Sequence, residues 1–169
     1  MKQIIILFLA LLAGNIQAQQ FEKDYIIHGG VLPAFMYFRG GPDGNATGGG
    51  GQLMLTYVND ENTWLQGHIG GYYLYSSPSD LAIMHLSAVA GYAKDFYAFG
   101  AEFGTIYHRE NNTDNAWTAG VTGQVAAELS PGFCVIAQVG LGLIIESQSY
   151  FYQRTGVGVA IQFPLKPRE

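Results

Sequence analysis

A chain of 169 residues is one domain's length, and only 12% of it is charged, against roughly 25% in an ordinary soluble domain. The net charge of -5, with Lys and Arg scattered, excludes a basic face for nucleic acid, and the single Cys134 excludes an internal disulfide. The 23 glycines and 11 tyrosines suit a β-protein whose outer surface need not face water, because Tyr favours strands and membrane interfaces while Gly relieves crowded interiors.

Residues 1–18 read as an export signal. Lys2 is the positive start, Ile4 to Ala13 the apolar core, and Ile16-Gln17-Ala18 the small-residue end after which cleavage is expected. The apolar run stops at Gly14-Asn15, short of the ~20 residues a spanning helix needs. Gln19 follows instead of a cysteine, so a lipid anchor has no support. No later stretch suits a membrane helix, which leaves a closed barrel as the only way for the rest to cross a bilayer.

Residues 19–163 form that expected barrel, followed by a tail at 164–169. Eight runs of period-two alternation predict strands at Tyr25 to Phe38, Gly51 to Val58, Thr63 to Tyr75, Leu81 to Ala93, Phe96 to His108, Ala116 to Leu129, Phe133 to Glu146 and Phe151 to Phe163. Pro33 lacks a ladder donor and predicts a bulge in the first. Successive side chains point to opposite faces of a sheet, so parity sorts them. In the fifth strand Tyr97, Phe99, Ala101, Phe103, Thr105 and Tyr107 share one uncharged face, with Ala98, Gly100, Glu102, Gly104 and Ile106 on the other. The seventh and eighth strands repeat the division, with Gln138, Glu146 and Arg154 on the less apolar face.

A soluble lipocalin-like barrel would also have eight alternating strands, but its water-facing side should be rich in Lys, Glu, Asp and Thr. Here the less apolar face is mainly Gly, Ala and Gln, suited to a narrow lumen filled by side chains. Connection lengths put both ends of the chain in the periplasm, with external loops at Arg39 to Gly50, Ser76 to Asp80, Arg109 to Asn115 and Ser147 to Tyr150. Short periplasmic turns fall at Asn59 to Asn62, Lys94-Asp95 and Ser130 to Gly132. Outward aromatics then sort into an outer belt (Tyr37, Tyr75, Tyr107, Trp117, Phe151) and a periplasmic one (Tyr25, Tyr57, Tyr92, Tyr97, Phe133, Phe163).

These features together predict an all-β, eight-stranded antiparallel up-and-down transmembrane β-barrel. The pattern resembles the small eight-stranded outer-membrane barrels of Gram-negative bacteria, the group of the OmpA membrane domain and OmpX. Gly158-Val159-Ala160-Ile161-Gln162-Phe163 is similar to the terminal-strand signal read by the barrel assembly machinery, departing from it in the tail that follows. The resemblance implies outer-membrane lipids and that machinery as partners, with any external partner unspecified. No peptidoglycan-binding domain follows the barrel, so that role of the larger relatives does not carry over.

Three residues invite a chemical reading. With a turn at Lys94-Asp95, Ser87 would lie opposite Glu102 and His85 one diagonal step away, within hydrogen-bonding reach. These residue types are similar to those of the outer-membrane lipid A deacylase PagL, which makes a lipid A-modifying enzyme the alternative. Parity points all three into the lumen, away from lipid, so a polar network is the better expectation. Arg154 needs carboxylate partners there, and Glu102 and Glu146 are the candidates, with Gln138 and Ser87 beside them. His28, His68 and His108 have no metal-ligand spacing, so no metal and no cofactor are expected. Gly48 to Gly51 lacks the lysine of a phosphate loop and reads as a flexible external loop. The sequence therefore predicts a non-enzymatic barrel that presents external loops for structural or interaction roles.

Overall fold

The computed structural model describes residues 26–41, 44–59, 61–75, 80–94, 96–108, 115–130, 132–146 and 149–164. The export signal at 1–18, Tyr25, the loop tips at 76–79 and 109–114, and residues 165–169 of the tail lie outside them, as do the side chains of His28, His108 and Phe163. Eight strands follow in chain order: β1 (Ile26–Gly41), β2 (Gly44–Val58), β3 (Thr63–Tyr75), β4 (Leu81–Lys94), β5 (Tyr97–His108), β6 (Asn115–Ser130), β7 (Phe133–Ile145) and β8 (Tyr150–Pro164). Each pairs antiparallel with the next, and β1 pairs with β8, closing the barrel.

Following the cross-strand register from Pro33 through β2, β3 and β4 leads to Tyr107 on β5. Starting from the same register row and going the other way, through β8, β7 and β6, leads to Tyr97, ten residues away. That stagger on eight strands corresponds to a strand tilt of about 40° and a radius of about 8 Å, room for side chains and little else.

Glycine makes so tight a wall possible. A Cβ on Gly48 or Gly50 would collide with the β3 backbone at Tyr73–Leu74 or Gly71–Tyr72. The same holds for Gly158 against Leu32 and Gly91 against Gly100. The Gly48 to Gly51 run is therefore strand, and both the loop expected there and the wider Arg39 to Gly50 loop are corrected. The β1–β2 hairpin continues up to the pair Gly41 and Gly44. Two further corrections follow. Pro33 faces outward without a bulge, since the register with β8 is the same at Val31–Val159 and Ala34–Gly156. Lys94 pairs with Tyr97 and so belongs to β4, which corrects the turn expected at Lys94-Asp95.

The other short connections are held by local polar bonds. Asn59 Oδ1 accepts the N–H groups of Glu61 (3.1 Å) and Thr63 (2.7 Å), and Asn62 adopts φ 63°, a left-handed conformation that Asn tolerates. Gly132, at φ 79°, donates its N–H to Glu128 Oε1 at 3.1 Å.

Burial alternates along every strand. The outward face carries large exposed apolar side chains, among them Phe35, Leu55, Phe103, Val121 and Ile161. When strand rise and spacing are applied to the register, nine of the outward aromatics fall into two rings about 25 Å apart along the barrel axis, with Phe35 and Phe103 between them. Tyr37, Tyr75, Tyr107, Trp117 and Phe151 form one, and Tyr57, Tyr92, Tyr97 and Phe133 the other.

Candidate functional site

Most of the ionisable side chains buried in the lumen gather at mid-height. Apolar layers close it at both ends. At the end of the longer connections Phe38, Ala46, Leu74, Ile83, Ile106, Ala116, Ile144 and Tyr150 pack together. At the end of the short turns Val58, Trp64, Val89, Ala93 and Ala98 form one cluster, and Leu32, Met54, Ala126, Cys134, Ile136 and Ala160 another. Between these layers lies a belt of twelve buried polar side chains: Gln52, Thr56, Gln66, His68, His85, Ser87, Glu102, Thr118, Thr122, Gln124, Gln138 and Arg154.

The belt centres on an ion pair. Arg154 Nη2 lies 3.1 Å from Glu102 Oε2, both residues being at most 1% exposed, and the Thr122 hydroxyl donates to the same carboxylate oxygen. Arg154 Nη1 donates to His85 Nδ1 at 3.3 Å, which leaves His85 Nε2–H to donate to Thr118 Oγ1, also at 3.3 Å. Backbone spacing makes room for the pair, since a Cβ on Gly140 would stand 3.2 Å from Arg154 Nη2, Glu102 Oε2 and Thr122 Oγ1 alike. A buried charge pair is tolerated only when its remaining bonding capacity is used, and the neutral Thr122, His85 and Thr118 take up part of it, while Glu102 Oε1 and Arg154 Nε have no hydrogen-bond partner.

Below the pair lies a glutamine lattice. Gln52 Nε2 donates to Gln138 Oε1 (2.7 Å), Gln138 Nε2 to Gln66 Oε1 (2.7 Å), and Gln66 Nε2 to Gln124 Oε1 (2.8 Å) and Thr56 Oγ1 (2.5 Å). Tyr72 OH donates to Gln52 Oε1 at 3.0 Å. His68 joins lattice and pair: its Nε2–H donates to Gln66 Oε1 at 2.7 Å, so Nδ1 accepts the Ser87 hydroxyl at 3.0 Å.

The residues singled out from sequence are thus placed as follows. Arg154 and Glu102 meet, and Ser87 and Gln138 belong to the same belt. Glu146 does not join them: Arg154 faces Gly140, and Glu146, six residues further along, accepts a bond from Tyr150 OH at 3.4 Å. The register set by the Lys94–Tyr97 pair places Ser87 opposite Gly104 and Glu102 opposite Val89, correcting the expected Ser87–Glu102 pairing. Ser87 bonds His68, while His85 turns to Arg154 and Thr118. Glu102 Oε1 approaches His68 from the Nδ1 side, at 3.8 Å, the same nitrogen that accepts Ser87. A relay needs hydroxyl and carboxylate on opposite ring nitrogens, so this arrangement cannot pass a proton from Ser87 through imidazole to carboxylate.

Gln52, Gln66, Gln124, Thr118 and Thr122 form no chemistry-bearing pair in the sequence, and His68 stands there only as a histidine without metal-ligand spacing. Their shared inward parity was the available signal. Among the described residues no group of three or more His, Cys, Asp or Glu is placed to hold a metal ion.

No protein-family model and no curated protein matches the sequence. Solved structures do match in fold. Neisserial surface protein A is similar at TM-score 0.57 and 14% identity, covering 82% of this chain and 97% of that one. The outer membrane protein OprG from Pseudomonas aeruginosa gives 0.54 and 10%, covering 89% and 100%. Ail, the attachment invasion locus protein of Yersinia pestis, gives 0.50 and 13%, covering 85% and 100%. At these identities the likeness is one of fold. The chain is an all-β, eight-stranded antiparallel up-and-down barrel, the fold shared by these outer-membrane proteins.

Proposed function

We propose that the protein is a non-enzymatic outer-membrane barrel with a closed lumen, acting through the loops and rim it presents outside the cell. The observation that carries this reading is the polar belt enclosed between apolar layers. Water and ions would have to cross the Phe38–Ile144 layer and then the Trp64 layer, each free of charged side chains. A lumen closed at both ends offers neither a conduction path nor access for a substrate to Ser87. The outward apolar band about 25 Å tall between aromatic rings supports a membrane setting, because that is the height expected of such barrels.

In this reading residues 1–18 direct export, both ends of the chain lie on the periplasmic side, and the Gly158 to Phe163 run serves recognition by the assembly machinery. The test is cell fractionation combined with planar-bilayer recording. Expected are outer-membrane recovery, faster gel migration without heating than after it, and no channel steps. Recovery in a soluble fraction would favour a lipocalin-like ligand carrier, and stable channel steps from the wild type would overturn the closed lumen. Lipid A left unmodified, in cells with or without Ser87→Ala, is the companion result expected of a non-enzyme.

A further inference from the structure

The outward wall is not uniformly convex. Among the described residues, two apolar grooves cross it, with volumes of about 620 Å³ and about 450 Å³. The larger follows the hydrogen-bonded row Gly123, Val139, Thr155 and Phe35, with Tyr97 at its lower end. The smaller follows the row Leu55, Gly67, Ala88 and Phe103, with Tyr57 at its lower end. Their floors are low because the side chains are missing: no atom lies within 4 Å of where a Cβ on Gly123 or Gly67 would stand.

The two grooves share a plan. Hydrogen-bonded rows climb around a barrel of this tilt, so each groove rises from a tyrosine at the short-turn rim to a phenylalanine near mid-height, over about 15 Å of axial depth. That depth is a little more than half of the apolar band about 25 Å tall. The tyrosine hydroxyl stands where a lipid's ester and headgroup region begins, and the phenylalanine closes the trough at the bilayer centre. Each trough is shallow and open to the outside, and the two lie on different sectors of the wall, β5 to β1 and β2 to β5. A two-fold contact between copies of the chain would call for one self-complementary patch instead.

We propose that each groove seats one acyl chain of a glycerophospholipid from the leaflet on the short-turn side. The proposal rests on the membrane location argued above, which makes that leaflet the periplasmic, phospholipid one. It adds two defined lipid sites to a wall otherwise in contact with exchanging lipid.

The test is native mass spectrometry of the full chain. The protein is reconstituted in vesicles of phosphatidylethanolamine and phosphatidylglycerol, extracted in mild detergent and stripped stepwise. The wild type should keep two phospholipids. Gly123→Leu with Ala137→Leu, or Gly67→Leu with Ala88→Leu, should each leave one, and the four changes together none. Leucine already occurs on this face, and unheated gel migration reports whether each variant is folded. Should a filled variant fail to fold, Phe35→Ala and Phe103→Ala, which remove only the mid-height stops, should lower the retained fraction at least threefold. Equal retention in the wild type and all folded variants overturns the proposal, as does retention of added lipid A in place of phospholipid, or loss of a dimer on filling. A wild type that inserts into the vesicles but keeps no phospholipid overturns this inference alone. One that does not float with them overturns the membrane reading as well.

Discussion

The middle of the lumen and its two ends solve the same problem by opposite means. Both must fill a cylinder about 8 Å in radius without leaving polar atoms stranded. The ends do it with apolar side chains whose packing depends on shape. The middle uses amides, hydroxyls, two imidazoles and one ion pair, whose success depends on each group finding its partner. Apolar layers tolerate exchange of similar volumes, whereas the belt is sensitive to the loss of any single member. The ends therefore supply forgiving closure, and the middle supplies a unique alignment of β2, β3, β4, β5, β6, β7 and β8, all of which contribute to it.

The largest expected effect comes from breaking the ion pair on one side. Arg154→Met leaves the Glu102 carboxylate buried without its cation and should destabilise the barrel by about 3–5 kcal/mol, read as a lower urea midpoint for unfolding in vesicles. Combining it with Glu102→Leu should recover much of the loss. A double variant no better than the single one would mean that the pair matters less than the space it fills. At the apolar end, Ile144→Ala should cost about 2–5 kcal/mol through the cavity it opens, while Ile144→Leu should cost under about 1.5 kcal/mol. If Ile144→Leu were as damaging as Ile144→Ala, the contrast between forgiving ends and an exacting middle would fail.

Within the lattice, Gln66→Leu deprives Thr56, His68, Gln124 and Gln138 of a partner at once and should cost about 1–3 kcal/mol despite its apolar character. Stabilisation of the barrel by this change would show the belt to be a burden. The smallest effect belongs to Ser87→Ala, which removes one hydrogen bond to His68 and should lower stability by about 1 kcal/mol, measured by the same unfolding titration.

Much of this was legible in the chain itself. Alternation sets the face of each residue, because consecutive side chains of an extended strand must diverge, and so Glu102, Gln138 and Arg154 could be placed inward from parity alone. β3 could be bounded at Thr63 and Tyr75 for the same reason. The glycine run at 48–51 misled, since a lack of side chains signals flexibility in a loop and close approach in a wall, and only the neighbouring β3 backbone distinguishes them. Glu146 misled because its distance from Arg154 depends on where the β7–β8 hairpin turns.

What the sequence by itself determined is thus the number of strands and the two faces of the wall, both local consequences of backbone geometry and polarity. The tertiary structure decided the stagger of ten residues, and with it which inward groups share a height. A one-residue change at the turn after β4 is enough to move Glu102 from Ser87 to Val89. Closure of the lumen was decided in the same way, since apolar residues from distant strands had to meet in one layer above the belt and another below it. Partnership across a barrel depends on register summed around all eight strands, and no single segment carries that sum.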